Sequence, residues 1–193
     1  MNSRTSSDAS KPQRLNSGHL VLAVEMATKA HAGTLREGDS PLPYVTHAVE
    51  VLLNLRYIGG VTDNEMLCAA ALHDTVEGDT LTLDQIEKLF GSRVRSLVAE
   101  LTRREPSALQ IANLTKDEVW QLRADMLVDE VTKMSDDAQQ IKLADRLANV
   151  RDAHRTKTGK KLRRYLGQTR QILQVVPRAR NKALWDAIKA EFS

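Results

Sequence analysis

The side chains able to do chemistry in this chain are few and unevenly placed. Five histidines, at positions 19, 31, 47, 73 and 154, stand beside a single cysteine, Cys68. One thiol permits neither an internal disulfide nor a thiolate zinc cluster, so metal chemistry here must come from imidazole and carboxylate. His73-Asp74 lies in LCAAALHDTVEGD, behind small and apolar residues suited to a buried helix. On a helix Met66, Ala70, His73 and Glu77 follow one row and Leu67, Ala70 and Asp74 the next, which predicts His73 and Glu77 side by side with Asp74 adjacent. A carboxylate on an apolar face is costly unless it is paired or bound to a metal. Asp145 is in the same position in QIKLADRLANVRD, sharing a face with Ile141, Ala144 and Ala148 and stacking with Asn149 and Asp152. His47, in PYVTHAVEVLLNL, falls at helical spacings from Tyr44, Ala48 and Val51 on a third segment. Two histidines and two aspartates form a nitrogen and oxygen donor set that suits manganese, ferrous iron or zinc and argues against a purely structural zinc site. On residue chemistry alone a second reading stands beside it, in which these groups make buried ion pairs and hydrogen-bonded core histidines. His19 and His154 read as structural or solvated.

The elements that must position these groups are helical almost throughout, because apolar residues recur at three- and four-residue spacings without sustained alternation. The expected fold is all-α. A first helix is predicted over about 18–31, ending near Gly33, and a second from Pro43 to Gly59-Gly60. Thr62 with Glu65 predicts a capping box opening a third helix, with Gly78 near its end. Thr82 with Gln85 opens a fourth helix ending at Gly91, and a fifth runs to about Thr102. Pro106 begins a loop up to Thr115, where Thr115 and Glu118 cap a long helix to about Met134. Ser135 caps the next, over 136–154, and two more are predicted over 159–175 and 178–191 around Pro177. Residues 1–16 lack periodic apolar positions and read as a flexible tail.

Composition narrows the function classes. The 193 residues, 41% hydrophobic and 27% charged, are about one domain's worth. No long apolar run or secretory leader is present, which speaks against a membrane partner and, with the lone cysteine, favours a cytoplasmic setting. The net charge of +3 is spread along the chain, and two Trp, three Tyr and two Phe are scattered, so nucleic acid is not the expected partner. The local basic excess, Lys157, Lys160, Lys161, Arg163 and Arg164 beside His154 and Arg155, reads either as a solvated helix start or as a rim attracting a small polyanion.

Three segments, AHAGTLREGDSPLPYVTHAVEV, AALHDTVEGDTLTLDQIEKLFG and IKLADRLANVRD, lie in order between about 20 and 153. Together they resemble HD-superfamily metal phosphohydrolases, and within them the RelA/SpoT-type hydrolase domain that removes the 3′-pyrophosphate of the alarmone ppGpp. The resemblance implies a stand-alone, single-domain helical bundle over 17–193 acting on a small nucleotide. It implies that His47, His73, Asp74 and Asp145 hold one divalent ion, manganese in most of the family, which polarises the phosphate and lowers the pKa of a bound water. Glu77 matches the glutamate that organises or deprotonates that water. Arg36 matches an arginine on the nucleotide, and Asn149 an asparagine near ribose and phosphate. Lys142 and Arg146 are family-like and read equally well as solvated helix residues.

The chain departs from the family pattern at several positions. The family's Glu-Asp pair is Glu77-Gly78, with Asp79 about 100° further round a helix. The family's His-x-x-Gln is His31-Ala32-Gly33-Thr34, the lysine usually following the arginine is Glu37, and Ala48 replaces a proline. Gly78 and Glu37 keep two alternatives open, an HD phosphohydrolase for another nucleotide or phosphoester such as NADPH, and a degenerate relative that binds nucleotide without turnover. Hydrolases of this kind often form homo-oligomers, although no isolated apolar stripe marks such an interface here.

Overall fold

A computed structural model describes residues 15–38, 41–77 and 80–192. The described residues form ten α-helices, and their only β-type pairing is an isolated bridge between Leu35 and Pro43. The chain is all-α, as the periodicity predicts. The helices are α1 Ser17–Ala30, α2 Val45–Leu53, α3 Asn64–Leu72, α4 Leu83–Phe90, α5 Ser92–Leu101, α6 Ala108–Ile111, α7 Lys116–Lys133, α8 Asp136–Thr156, α9 Gly159–Val175 and α10 Lys182–Ala190. None is long and apolar enough to cross a membrane.

Two helices form the centre. Every residue of α3 from Met66 to Leu72 is buried, enclosed by α1, α2, α5 and α8. The run Ala69-Ala70-Ala71 lets these neighbours approach closely, while Leu72 contributes about 1.5–3 kcal/mol by complete burial. Helix α8 is likewise buried from Leu143 to Ala148, against α2, α3, α9 and α10. Helices α4 and α5 pack as a pair, joined by Gly91 at φ +87°, and α7 lies along α9.

Local chemistry explains where the observed boundaries depart from the expected ones. The cap of α3 is Asp63 rather than Thr62, its carboxylate accepting from the N–H groups of Glu65 and Met66. The same helix ends at Leu72, short of Gly78. There the Ala70 carbonyl is met by His73 Nδ1 at 2.8 Å and the Leu72 carbonyl by the Thr75 hydroxyl at 2.7 Å, so side chains take up carbonyls that further helix would have used. His73, Asp74 and Glu77 therefore stand on turns beyond α3, not in rows on its faces. Helix α2 gives way to a π-helical turn, Asn54–Ile58, instead of continuing regularly to Gly59-Gly60, and buried Asn54 donates to the Ala144 carbonyl. The expected 106–115 loop contains α6, opened by a capping box of Ser107 and Gln110. After Pro177 a 3₁₀ turn, Arg178–Arg180, precedes α10, which Asn181 caps. The boxes at Thr82/Gln85 and Thr115/Glu118 and the Ser135 cap form as predicted. Of the expected tail, residues 1–14 lie outside the described residues, while Asn16 caps α1. Gly78 and Asp79 also lie outside them.

Candidate metal centre and its cleft

His47 is carried by α2, Asp145 by α8, and His73 and Asp74 by the turn after α3, so the helix packing brings all four together. One ligand atom from each of His47, His73 and Asp145 can be chosen so that all lie within 4.8 Å of one another, and these three residues are buried. Asp74 Oδ2 is 3.1 Å from His73 Nε2 and 3.7 Å from His47 Nε2. Asp145 Oδ1 is 3.3 Å from His47 Nε2 and 3.8 Å from His73 Nε2.

The donor chemistry fits a cation. His73 Nδ1 faces the Ala70 carbonyl at 2.8 Å, which makes Nδ1 the protonated nitrogen and leaves Nε2 as a lone pair. That buried Nε2 has no hydrogen-bond partner, yet it faces two carboxylates. A lone pair so placed is repelled unless a positive charge intervenes. Without a metal a proton can serve: burial alone would lower the His73 pKa, but Asp74 and Asp145 overcome it and raise the value to about 9. Burial would raise the pKa of Asp74, and His73 instead holds it well below the carboxylate range. Asp145 is pushed up by burial and pulled down further by Lys142, whose Nζ lies 2.8 Å from Oδ2.

A surrounding layer fixes these groups. The Tyr44 hydroxyl donates to Asp74 Oδ2 at 2.7 Å, and its ring lies 4.7 Å from the His31 ring and 5.5 Å from that of His47. Asn149, one turn beyond Asp145, donates to Asp145 Oδ1. Tyr44 reaches its place through the Leu35–Pro43 bridge, in which the Tyr44 N–H donates to the Thr34 carbonyl and the Arg36 N–H to the Leu42 carbonyl. Arg146 is buried and Lys142 is largely shielded, its side chain 12% exposed, correcting the solvated reading. Lys142 pairs with Asp145, while Arg146 hydrogen-bonds Gln168 and lies over the Tyr165 ring at 4.9 Å.

A cleft of about 230 Å³ opens beside the centre, lined by His47 and Tyr44 together with Asn149, Asp152, Lys157 and Tyr165. Arg36 lines it too, its guanidinium held between Glu50 at 2.9 Å and Asp152 at 3.3 Å. Glu77 is exposed, is not among the residues lining the cleft, and accepts the Arg103 N–H at 2.8 Å. Partial desolvation, opposed by that N–H and helped by Asp74, raises its pKa. Sequence reasoning missed Tyr44 and Tyr165 as components of the site, while Lys157 belongs to the basic run that it left open as a rim for a polyanion. Tyr44 carried a signal, one helical turn before His47, whereas Tyr165 lies on a helix whose position over the cleft no spacing rule gives.

The model of the HD domain family matches residues 23–178. The human guanosine-3′,5′-bis(diphosphate) 3′-pyrophosphohydrolase MESH1 is 37% identical over 136 residues, 70% of each chain. Its mouse counterpart is 34% identical over 177 residues, 90% of this chain and 92% of that one. A solved structure described as a metazoan ortholog of SpoT that hydrolyses ppGpp and plays a role in starvation responses superposes with a TM-score of 0.77 at 29% identity, covering 93% of this chain and 97% of the other.

Proposed function

The chain belongs to the HD-domain family, and on that premise we propose that it is a metal-dependent hydrolase that removes the 3′-pyrophosphate from ppGpp, giving guanosine diphosphate and pyrophosphate. The observation that carries the proposal is the buried, partnerless His73 Nε2 facing two carboxylates beside His47, which itself lines a cleft with Arg36 and Lys157. The relatives of matching length that are named for this hydrolysis support it.

In this reading His47, His73, Asp74 and Asp145 hold one divalent ion, with manganese our choice for an imidazole and carboxylate set without sulfur. When bound, the ion supplies Lewis acidity at the phosphate and a water of lowered pKa. Lys142 and Tyr44 hold the two aspartates in place, which keeps their oxygens from turning to other partners. Glu77, with its pKa raised, takes the proton of the attacking water as the bond between that water's oxygen and the phosphorus forms. The bond from phosphorus to the ribose 3′ oxygen breaks, that oxygen takes up a proton from solvent, and Glu77 gives its own back to solvent. Arg36 is the nucleotide-binding cation, and Asn149, already oriented by Asp145, faces ribose and phosphate. Tyr165, backed by Arg146, offers a flat wall for the base. The buried, reduced Cys68 fits the cytoplasmic setting that we propose.

The test is turnover of ppGpp and NADPH by purified protein supplied with manganese, with Asp74→Ala as control. Release of pyrophosphate from ppGpp that the variant lacks is the expected result. Phosphate release from NADPH with none from ppGpp would replace the substrate assignment, and no turnover of either would favour a binding role.

A further inference from the structure

The mouth of the cleft holds an ion pair between residues far apart in the chain. Glu37 Oε2 lies 2.5 Å from Lys157 Nζ, and both residues line the cleft. Their meeting is built into the backbone. Gly38, at φ +126°, packs so close to the end of α8 that a Cβ there would lie 3.3 Å from the Thr156 methyl, which sets the preceding Glu37 opposite Lys157.

The basic run 157–164 is not uniformly available to a ligand. Lys160 and Arg164 are both turned to Asp117 at the start of α7, at 2.8 and 2.7 Å. Among the described cleft-lining residues, Lys157 is the only member of that run. Arg36 is held by two carboxylates, Glu50 and Asp152, whereas Lys157, itself 25% exposed, is held among the described residues only by Glu37, whose side chain is 75% exposed. With its carboxylate in solvent the pair is worth little, and Lys157 can exchange that carboxylate for another anion.

We propose that Lys157 is a phosphate-binding residue of this cleft and that Glu37 is its competitor, so that the pair weakens polyphosphate binding and sets its preference over less charged phosphoesters. The proposal rests on the phosphohydrolase reading above. A phosphate entering the cleft takes Lys157 from Glu37, and the freed carboxylate turns to solvent, so each binding event includes the loss of one ion pair. Removing Glu37 lets Lys157 meet the ligand without that loss, and removing Lys157 leaves Glu37 with nothing to compete for.

The experiment is a double-mutant cycle read by calorimetry with inorganic pyrophosphate on metal-free protein, alongside KM and kcat for ppGpp on the manganese-loaded enzyme. Glu37→Gln should bind pyrophosphate about two- to fivefold tighter than the parent, the range expected for releasing an exposed pair. In a Lys157→Gln background the same change should have less than half that effect. The KM for ppGpp should fall in parallel in Glu37→Gln with kcat unchanged, and the gain should shrink as salt rises. An unchanged pyrophosphate affinity in Glu37→Gln, an equal gain in the Lys157→Gln background, or no binding by any of the four proteins would overturn the proposal. Because pyrophosphate binding needs no turnover, a parent enzyme inactive on ppGpp would count against the substrate reading while the cycle still reports on Lys157.

Discussion

Replacing Tyr44 by phenylalanine isolates a single atom of the layer around the metal centre. The ring and its contacts with His31 and His47 remain, and only the hydroxyl that donates to Asp74 Oδ2 at 2.7 Å is lost. Asp74 retains 18% side-chain exposure, so water can take the vacated position, and the stability of the metal-free protein should fall by only about 0.5–1.5 kcal/mol. The effect on the metal should be larger, because groups that orient a ligand typically carry about 10–100-fold in metal affinity. At free manganese set to roughly 100 times the parent's Kd, binding stabilises the parent by about 2.7 kcal/mol, and a tenfold weaker variant by about 1.4 kcal/mol. At about 2–4 °C per kcal/mol for a chain of this size, the manganese-induced rise in Tm should drop from about 5–11 °C to about 3–6 °C. The assay is a thermal melt of both proteins with and without manganese in a metal buffer. An equal rise in the two proteins would refute the idea that Tyr44 acts on the metal through Asp74.

Three more outcomes follow from the same geometry. Asp145→Ala should abolish metal binding and also destabilise the metal-free protein by about 3–5 kcal/mol in chemical denaturation, since it strands Lys142, whereas Asp74→Ala should lose the metal at smaller cost; similar losses would contradict the buried pair. Because the metal-free His73 pKa is raised from 6.5 to about 9, its stabilising effect is fully present below about pH 6.5 and is lost as pH rises through about 9. Manganese must displace that proton, so calorimetry in buffers of different ionisation enthalpy near pH 7.5 should detect its release, and an absence of release would mean that His73 is not a ligand. Glu77→Gln should keep one metal per chain while turnover of ppGpp drops at least about 100-fold, and a fully active variant would remove Glu77 from the water-activating role.

Much of the site was legible because its residues had to break a pattern. Asp145 interrupts an apolar helix face, and His73-Asp74 follows an apolar run, so both announced a need for compensation. The helical fold was legible through its caps, which form at Thr82, Thr115 and Ser135. The early end of α3 was not, because it depends on His73 and Thr75 turning back to carbonyls that a periodicity argument assigns to further helix. Spacing could not show that Lys142 is paired and largely shielded rather than solvated, since its partner is the very aspartate whose partners were sought. Lys157 and Glu37 meet across 120 positions through the close approach of Gly38 to Thr156, a tertiary fact with no local signature.

The hydrolysis proposed for the cleft depends on His47, His73, Asp74 and Asp145 holding one metal ion together. The most direct measurement is the position and stoichiometry of manganese, by anomalous diffraction from loaded crystals and metal analysis of the same preparation, with His73→Ala alongside. One manganese per chain is expected among these four side chains, absent from the variant. A parent protein that takes up no manganese there, or a His73→Ala protein that holds it in the same place, would contradict it.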